Sequence, residues 1–295
     1  MRESAESERY GMALTINTNL SSLIVQKNLN SATTSLNNAI ERMTTGYKIN
    51  HAKDNAAGYS IATNWKTQLA SLDVASDNAS TGADMLTTLE DTYSLISSHI
   101  QRVRDLTEQA ANGTYGSESL KAIQSEITAR LEEVDRISAN AEFNGLKMMN
   151  GDIKNNITLQ VGLYSATSSQ ISLDKNLFAS ANVQSLFNED IATVASKCSG
   201  LTQGTAASML DEIDKVIKTI SNRTTTLGSA QNRIESAVES ISVQTENLTS
   251  SLSTLRDADV AEESSSYIKA QILQQASATL LAAANQAPSI ALSLI

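Results

Sequence analysis

Adjacent glutamates are the residues of this chain that come nearest to an acid–base site. They form two pairs, Glu132-Glu133 and Glu262-Glu263, and paired carboxylates can divide the roles of general acid and general base. The sequence contains no Walker loop, no GxSxG nucleophile motif and no HExxH zinc motif to accompany them. We therefore interpret both pairs as solvated faces of helices and predict that the chain is not an enzyme.

The histidines and the cysteine argue against a metal centre. His51 and His99 are far apart in sequence, and Cys198 is the only cysteine. A zinc site needs three or four such ligands, and a single cysteine excludes an intramolecular disulfide. We predict neither metal nor cofactor, and we interpret Cys198, placed in a predicted loop, as a buried or incidental thiol rather than a nucleophile.

The composition indicates a helical protein and argues against binding to nucleic acid or to membranes. The 295 residues include one proline, whereas about 5% would be usual. A net charge of −10 excludes the basic surface that nucleic-acid binding and polybasic membrane contact require. No apolar run approaches the roughly 20 residues that span a bilayer, and the N-terminus lacks the apolar core of a signal peptide.

Apolar residues recur in alternating steps of three and four along most of the chain, which indicates amphipathic helices in coiled-coil register. The first run ends at Gly46, and the second stops at Asn112-Gly113. The helical runs are predicted over residues 25–43, 72–110, 120–141, 210–255 and 273–294.

The run over 210–255 has two rows of seam positions. One row, Ile213 to Leu255 in steps of seven, is entirely Ile or Leu, and the other runs from Leu210 to Leu252. The second row includes polar residues such as Gln231. We expect these either to fix the register or dock a neighbouring element, or to be tolerated where packing is loose.

The two terminal helices are almost uncharged. Residues 13–40 contain one charged side chain, Lys27, and residues 264–295 contain one, Lys269. A helix exposed to water usually has charges on its outer face, whereas burial among identical copies disfavours them. We therefore predict that the terminal helices assemble with other copies inside a more charged outer layer. Their predicted assembly seam consists of Leu29, Leu36, Met43, Leu273, Leu280 and Ile290.

Two regions break the helical pattern. Ile157, Leu159 and Val161 alternate with polar residues, and a similar alternation follows a Ser/Thr-rich turn, so one β-hairpin is predicted near 156–174. Residues 175–205 are predicted to be irregular, and residues 1–11, which are polar and aperiodic, are predicted to be a disordered extension.

Seven segments of the chain follow one another in a characteristic order. They are INTNLSSLIVQKNL (16–29), ERMTTGYKINHAKDNAAGYSIA (41–62), QRVRDLTEQAANGT (101–114), IQSEITARLEEVDRI (123–137), FNG (143–145), RDADVAEES (256–264) and KAQILQQASATLLAAANQAPSIALSLI (269–295). In this order they resemble bacterial flagellin, the subunit of the flagellar filament. The resemblance covers nearly all of residues 12–295, and the large variable outer domains found in many flagellins are missing.

The resemblance implies a mainly α fold, in which a long helical coiled-coil bundle pairs the N- and C-terminal halves and carries one small β-hairpin. An inner terminal coiled-coil domain would comprise residues 12–55 with 257–295, and an outer helical domain would comprise 56–256. The implied function is self-assembly into the extracellular filament that drives motility. The implied partners are other copies of the chain, a flagellar secretion chaperone, and the hook-associated junction and cap proteins. Export would use the flagellar type III apparatus without a cleaved signal peptide.

The resemblance also implies recognition by Toll-like receptor 5. In flagellins that activate this receptor, an Arg and a Leu on the first long outer helix and a Glu on the next form the core of the contact. The matching residues here are Arg102, Leu106 and Glu126. The alternative is that they serve packing, with Leu106 in the helical seam.

Two other kinds of protein remain as alternatives. A hook–filament junction protein shares the terminal helices, and the 41–62 and 123–137 segments favour flagellin over it. A non-flagellar coiled-coil signalling or adhesin protein would have charged exposed faces on the end helices, which this sequence lacks.

Overall fold

The computed structural model describes residues 18–199 and 203–293, apart from the side chains of residues 203, 204 and 287–293. The helices are α1 (Leu20–Thr45), α2 (Ala56–Ala111), α3 (Ser117–Asn140), α4 (Val183–Phe187), α5 (Ile191–Ser199), α6 (Gln203–Arg256) and α7 (Val260–Ser293). The strands are β1 (Glu142–Phe143), β2 (Leu146–Lys147), β3 (Ile157–Gln160) and β4 (Gln170–Leu173). The predicted class, mainly α with a small hairpin, is confirmed. The extension predicted at residues 1–11 lies outside the described residues.

The described residues form two compact units. The terminal unit contains those of Met1–Lys66 and Thr249–Ile295, and the central unit is Thr67–Leu248. The helices α2 and α6 contribute residues to both units.

In the terminal unit, α1 packs against α7 in antiparallel orientation. Asn19, which caps the start of α1, donates to the carbonyl oxygen of Ala284 (2.7 Å). At the other end, Arg42 forms an ion pair with Glu263 (3.1 Å). The residues that this unit buries on the two helices are mostly small: Ala32, Ala39, Glu263, Ala270 and Ser277.

Main-chain hydrogen bonds join the segment after α1 to the segment before α7. The N–H of Lys48 donates to the carbonyl oxygen of Arg256 (2.7 Å), and the N–H of Ala258 donates to that of Gly46 (2.8 Å). The guanidinium of Arg256 lies 4.2 Å from the centre of the Tyr47 ring, a cation–π contact. Gly46 ends α1 in the left-handed region at φ 75°. These contacts hold the two terminal segments in one register.

The central unit is built around the long apolar stripes that the sequence predicts. The stripe on α2 from Leu72 to Ala110 is buried along its length, except that Ala83 is half-buried. The stripe on α3 and one row of α6 are buried as well. Their buried residues are Ile123, Ile127, Leu131 and Val134 on α3, and Ile213, Ile220, Leu227, Ile234 and Ile241 on α6.

The second row predicted on α6 is half-buried at every member from Leu210 to Leu252. The row one residue earlier is also buried at Met209, Val216 and Ala230. Because α6 contributes to a core built from several elements, its buried face is broader than the seam of a two-helix coiled coil.

Polar contacts tie α6 to α2 within the central unit. Gln231 donates to the Glu90 carboxylate (2.8 Å), and Arg104 donates to the Asp214 carboxylate (2.7 Å). Of the two interpretations of the polar seam residues, Gln231 therefore matches docking to a neighbouring helix.

The hairpin predicted near 156–174 is present. Strand β3 pairs antiparallel with β4, with Ile157 opposite Leu173 and Gln160 opposite Gln170. A second, shorter hairpin, β1–β2, was not expected. Its turn has positive φ at both Asn144 and Gly145, and Asn-Gly is the strongest short-range signal for such a turn.

The region predicted to be irregular contains helices. Helices α4 and α5 lie within it, and Cys198 belongs to α5 rather than to a loop. Apolar residues of α5, including Val194 and Cys198, are four residues apart and face the core together. A nine-residue helix carries too few periodic positions for the pattern to be recognised from sequence.

Truncating a core residue of α6 will destabilise the central unit. We expect Leu227→Ala to lower the free energy of unfolding by about 2–5 kcal/mol, because it leaves a cavity among fully buried side chains. The control, Val243→Ala on the same helix, removes a side chain that is 52% exposed and should cost less than about 1 kcal/mol. Urea unfolding followed by circular dichroism measures both, and equal losses would contradict the assignment of the core.

Candidate assembly and recognition surfaces

Helix α7 presents different residues to α1 and to its other sides. The positions turned towards α1 are half-buried or buried and follow steps of three and four: Glu263, Tyr267, Ala270, Gln274, Ser277, Leu281 and Ala284. The predicted seam residues Leu273 and Leu280 each precede one of these positions, and a helix rotates about 100° per residue. They are therefore off the α1 contact, and Leu280 is 58% exposed.

Helix α1 uses most of its predicted seam inside the chain. Leu29 and Leu36 are half-buried beside Ala32 and Ala39, whereas Met43 is exposed. The side chain of the remaining seam residue, Ile290, lies outside the described residues. As contacts with other copies, all six seam residues stay predictions.

Large apolar side chains cover the outer faces of the terminal unit. Exposure of this extent, much of it on helices with few charged residues, is unusual for a monomer and marks an interaction surface. The exposed large apolar residues of this unit are Leu20, Leu23, Ile24, Ile40, Met43, Tyr47, Tyr59, Ile61, Val260, Ile268, Ile272, Leu273 and Leu280.

The predicted receptor residues occupy two neighbouring helices of the central unit. The Arg102 guanidinium forms an ion pair with the Glu126 carboxylate (2.9 Å), and Arg130 approaches the same carboxylate (3.8 Å). Arg102 and Glu126 are both partly exposed. Leu106 is only 2% exposed and belongs to the core, so its apolar surface is not available on the outside of this fold.

Two family models match the chain at its two ends. One, described as the bacterial flagellin N-terminal helical region, matches residues 16–154, and the other, described as the bacterial flagellin C-terminal helical region, matches residues 210–295. The chain belongs to the bacterial flagellin family. The interval between the models contains β3, β4, α4 and α5, so these elements lie in the part of this flagellin that neither model describes.

Relatives match this flagellin over nearly its full length. A flagellin from Xenorhabdus nematophila is 36% identical, and the match covers 96% of this chain and 100% of that protein. A flagellin from Bacillus subtilis strain 168 is 32% identical over 95% and 99% of the two chains. The solved structure of a flagellar hook-associated protein from Vibrio parahaemolyticus is similar with a TM-score of 0.58. The match covers 69% of this chain and 100% of the hook-associated protein. Because the two sequences are only 11% identical, the similarity shows a common fold alone.

The prediction that Glu262 and Glu263 lie on a solvated helix face is correct for Glu262, which is exposed, but wrong for Glu263, which is buried against α1. Arg42 and Glu263 form an ion pair in the otherwise uncharged contact between α1 and α7. Their separation of 221 positions along the chain leaves no sequence signal for the pairing. Within the described ranges, no cluster of three His, Cys, Asp or Glu side chains is arranged to hold a metal, and no helix is long and apolar enough to cross a membrane.

Burial keeps the cysteine of this flagellin protonated. Removal from water raises the pKa of the Cys198 thiol to about 11, and a hydrogen bond with Thr107 lowers it by less. Because the pKa is raised in the folded state, the thiol's contribution to stability is present below about pH 8.5 and lost as the pH rises towards 11.

Alkylation will report this burial. At pH 8 we expect iodoacetamide to modify Cys198 more than about 100-fold more slowly in the folded protein than in denaturant, because only the thiolate reacts. Mass spectrometry measures the rate, and no other cysteine contributes to it. Similar rates in the two states would contradict the buried position on α5.

Proposed function

We propose that this flagellin is the subunit of an extracellular flagellar filament and that its terminal unit forms the contacts between copies. The observation that supports this is the outer face of α1 and α7, which is rich in exposed Leu and Ile and nearly free of charge. Burial of such side chains contributes about 25 cal/mol per Å². The absence of charges removes the desolvation cost that helix packing would otherwise carry.

The arrangement favours an open polymer. Contacts between two different faces of identical subunits generate a helix when the rotation does not close. The exposed side chains occur on more than one side of the terminal unit, since Ile272 and Leu273 are consecutive and both exposed. In the proposed filament, residues 12–55 with 257–295 form the inner layer, residues 56–256 form the outer layer, and the filament transmits rotation as thrust.

Further partners belong to the same proposal. A secretion chaperone would cover the exposed apolar residues of α7, such as Ile268 and Leu280, before assembly. Export would proceed through the flagellar type III apparatus without a cleaved signal peptide. At the filament ends, the chain would contact hook-associated junction and cap proteins.

A single charge on α7 tests the filament proposal. We expect Leu280→Asp to raise the concentration needed for polymerisation by more than about tenfold, because an unpaired carboxylate would be buried between copies. Helicity should be unchanged, since the side chain is exposed in the isolated chain. The assay is sedimentation and negative-stain microscopy of monomer that has been seeded with short filaments at high salt.

The matched control is Val243→Asp, which places the same charge at an exposed apolar residue of the central unit. We expect it to polymerise normally. Polymerisation of Leu280→Asp at the wild-type concentration would contradict the role of α7. If the wild-type chain never elongates seeds after residues 1–11 have been removed, that result would instead favour a hook–filament junction protein.

We propose recognition by Toll-like receptor 5 as a second function. The support is the exposed pair of Arg102 and Glu126 on adjacent helices, because a partly exposed guanidinium can exchange its carboxylate for one on a partner. Leu106 would take part only indirectly, by holding α2 in the core behind that pair.

Charge reversal at Arg102 tests this second function. We expect monomeric Arg102→Asp to lose more than about tenfold in potency on receptor-expressing reporter cells, since contacts of this kind contribute 2 kcal/mol or more. Arg136→Asp is the control, because Arg136 also forms an exposed ion pair, with Glu133 on α3. Full potency of Arg102→Asp, with helicity intact, would contradict the assignment of Arg102 to the receptor contact.

A further inference from the structure

An open groove lies within the central unit, between the β3–β4 hairpin and α6. Its volume is about 600 Å³. Residues 161–164 and 168–171 form the hairpin side. The polar residues on the α6 side are Asn232, Arg233, Ser236, Ser240 and Gln244.

The lining of this groove carries a positive charge, whereas the protein as a whole is acidic. Hydroxyl and amide side chains supply most of its polar groups, and Arg233 is the only charged residue among those that line it. The chain as a whole has a net charge of −10. The groove is therefore a locally cationic site, free of lining carboxylates, on an acidic molecule.

Arg233 also lacks a partner. Among the residues that the structure describes, its guanidinium donates no hydrogen bond and forms no ion pair. The other arginines with described side chains all bind a carboxylate or a carbonyl oxygen: Arg42, Arg102, Arg104, Arg130, Arg136, Arg223 and Arg256. The five N–H donors of Arg233 are thus available to a ligand.

Hydrogen bonds hold the hairpin side of the groove in shape. Gln160 Nε2 donates to the carbonyl oxygens of Gly162 (2.7 Å) and Tyr164 (2.9 Å), and Gln170 donates to Gln160 Oε1 (3.0 Å). A Cβ atom at Gly162 would come within 2.8 Å of the Ser169 side chain, so the loop passes close to itself there. A loop fixed in this way loses little conformational entropy when a ligand binds.

Tyr164 provides an aromatic face at the groove. It is 65% exposed, and its main chain is held by a hydrogen bond from Gln160. An exposed tyrosine offers an apolar ring face and a polar hydroxyl at once.

We propose that this groove binds a short saccharide that bears a carboxylate. The Arg233 guanidinium would bind the carboxylate in a bidentate manner. The amides and hydroxyls of α6 would bind the sugar hydroxyls, and the Tyr164 ring would pack against the apolar face of a sugar ring. The volume suits a ligand of two or three sugar units. A compact phosphate would use the single arginine and leave the rest of the groove without contacts.

The test is titration of the monomeric full-length chain with 3′-sialyllactose, followed by saturation-transfer NMR. Lactose lacks the carboxylate and should bind at least about tenfold more weakly, because a charge-assisted hydrogen bond contributes about 1.5–3 kcal/mol. Inorganic phosphate at equal concentration should not displace the acidic sugar. Equal binding of the two sugars, or displacement by phosphate, would overturn the proposal.

Variants locate the site. Arg233→Gln and Tyr164→Ala should each weaken binding of 3′-sialyllactose by about tenfold or more, whereas Arg136→Gln, an arginine of α3 outside the groove, should bind as the wild type does. All three should polymerise normally. Unchanged binding of 3′-sialyllactose to Arg233→Gln would overturn the assignment of the site. Failure of Arg233→Gln to polymerise would overturn it too, because the groove would then be a contact between copies.

Discussion

Close packing between α1 and α7 through small side chains is the constraint on which the terminal unit depends. The contact is occupied by small side chains, those of Ala32, Ala39, Ala270 and Ser277. Small residues let two helices approach closely. They also bury little apolar area, so each pair stabilises the contact only slightly. Many of the larger Leu and Ile side chains, such as Ile24, Ile272 and Leu280, remain on the outer faces. The terminal unit is thus suited to further association with other helices.

The central unit distributes its side chains in the opposite way. Its large apolar residues are inside, as at Leu89, Ile127 and Leu227, and its surface carries ion pairs such as Arg104 with Asp214. A core of this kind supplies its own stability without a second copy. Surface residues here are free to serve recognition, and both the Arg102–Glu126 pair and the Arg233 groove belong to this unit.

The terminal and central units also differ in how they use charged side chains. Among the side chains that the structure describes, α1 and α7 form a single ion pair at their contact, between Arg42 and Glu263. This pair fixes one pairing of positions, because a shift of either helix would leave a carboxylate without its partner among apolar atoms. The other arginines with described side chains each bind a carboxylate or a carbonyl oxygen, so Arg233 is an exception among them.

The sequence by itself determined the helical class, the stripe of α2 from Leu72 to Ala110, and the hairpin at 156–174. These elements follow from local periodicity, which is a property of neighbouring residues. The uncharged terminal segments could also be recognised, since they depend on residue types alone. The short strands around Asn144-Gly145 and the helix that carries Cys198 were missed because they contain too few periodic positions.

Only the tertiary structure decided which face of each helix is used, and where. The heptad of α7 can be written in several phases. The chosen phase, through Ala270 and Ser277 rather than Leu273 and Leu280, follows from close approach to α1. Likewise, Leu106 lies in the core while Arg102 meets Glu126 from the next helix. Periodicity shows that a helix has faces, but the choice among them is a packing energy that depends on partners distant in sequence.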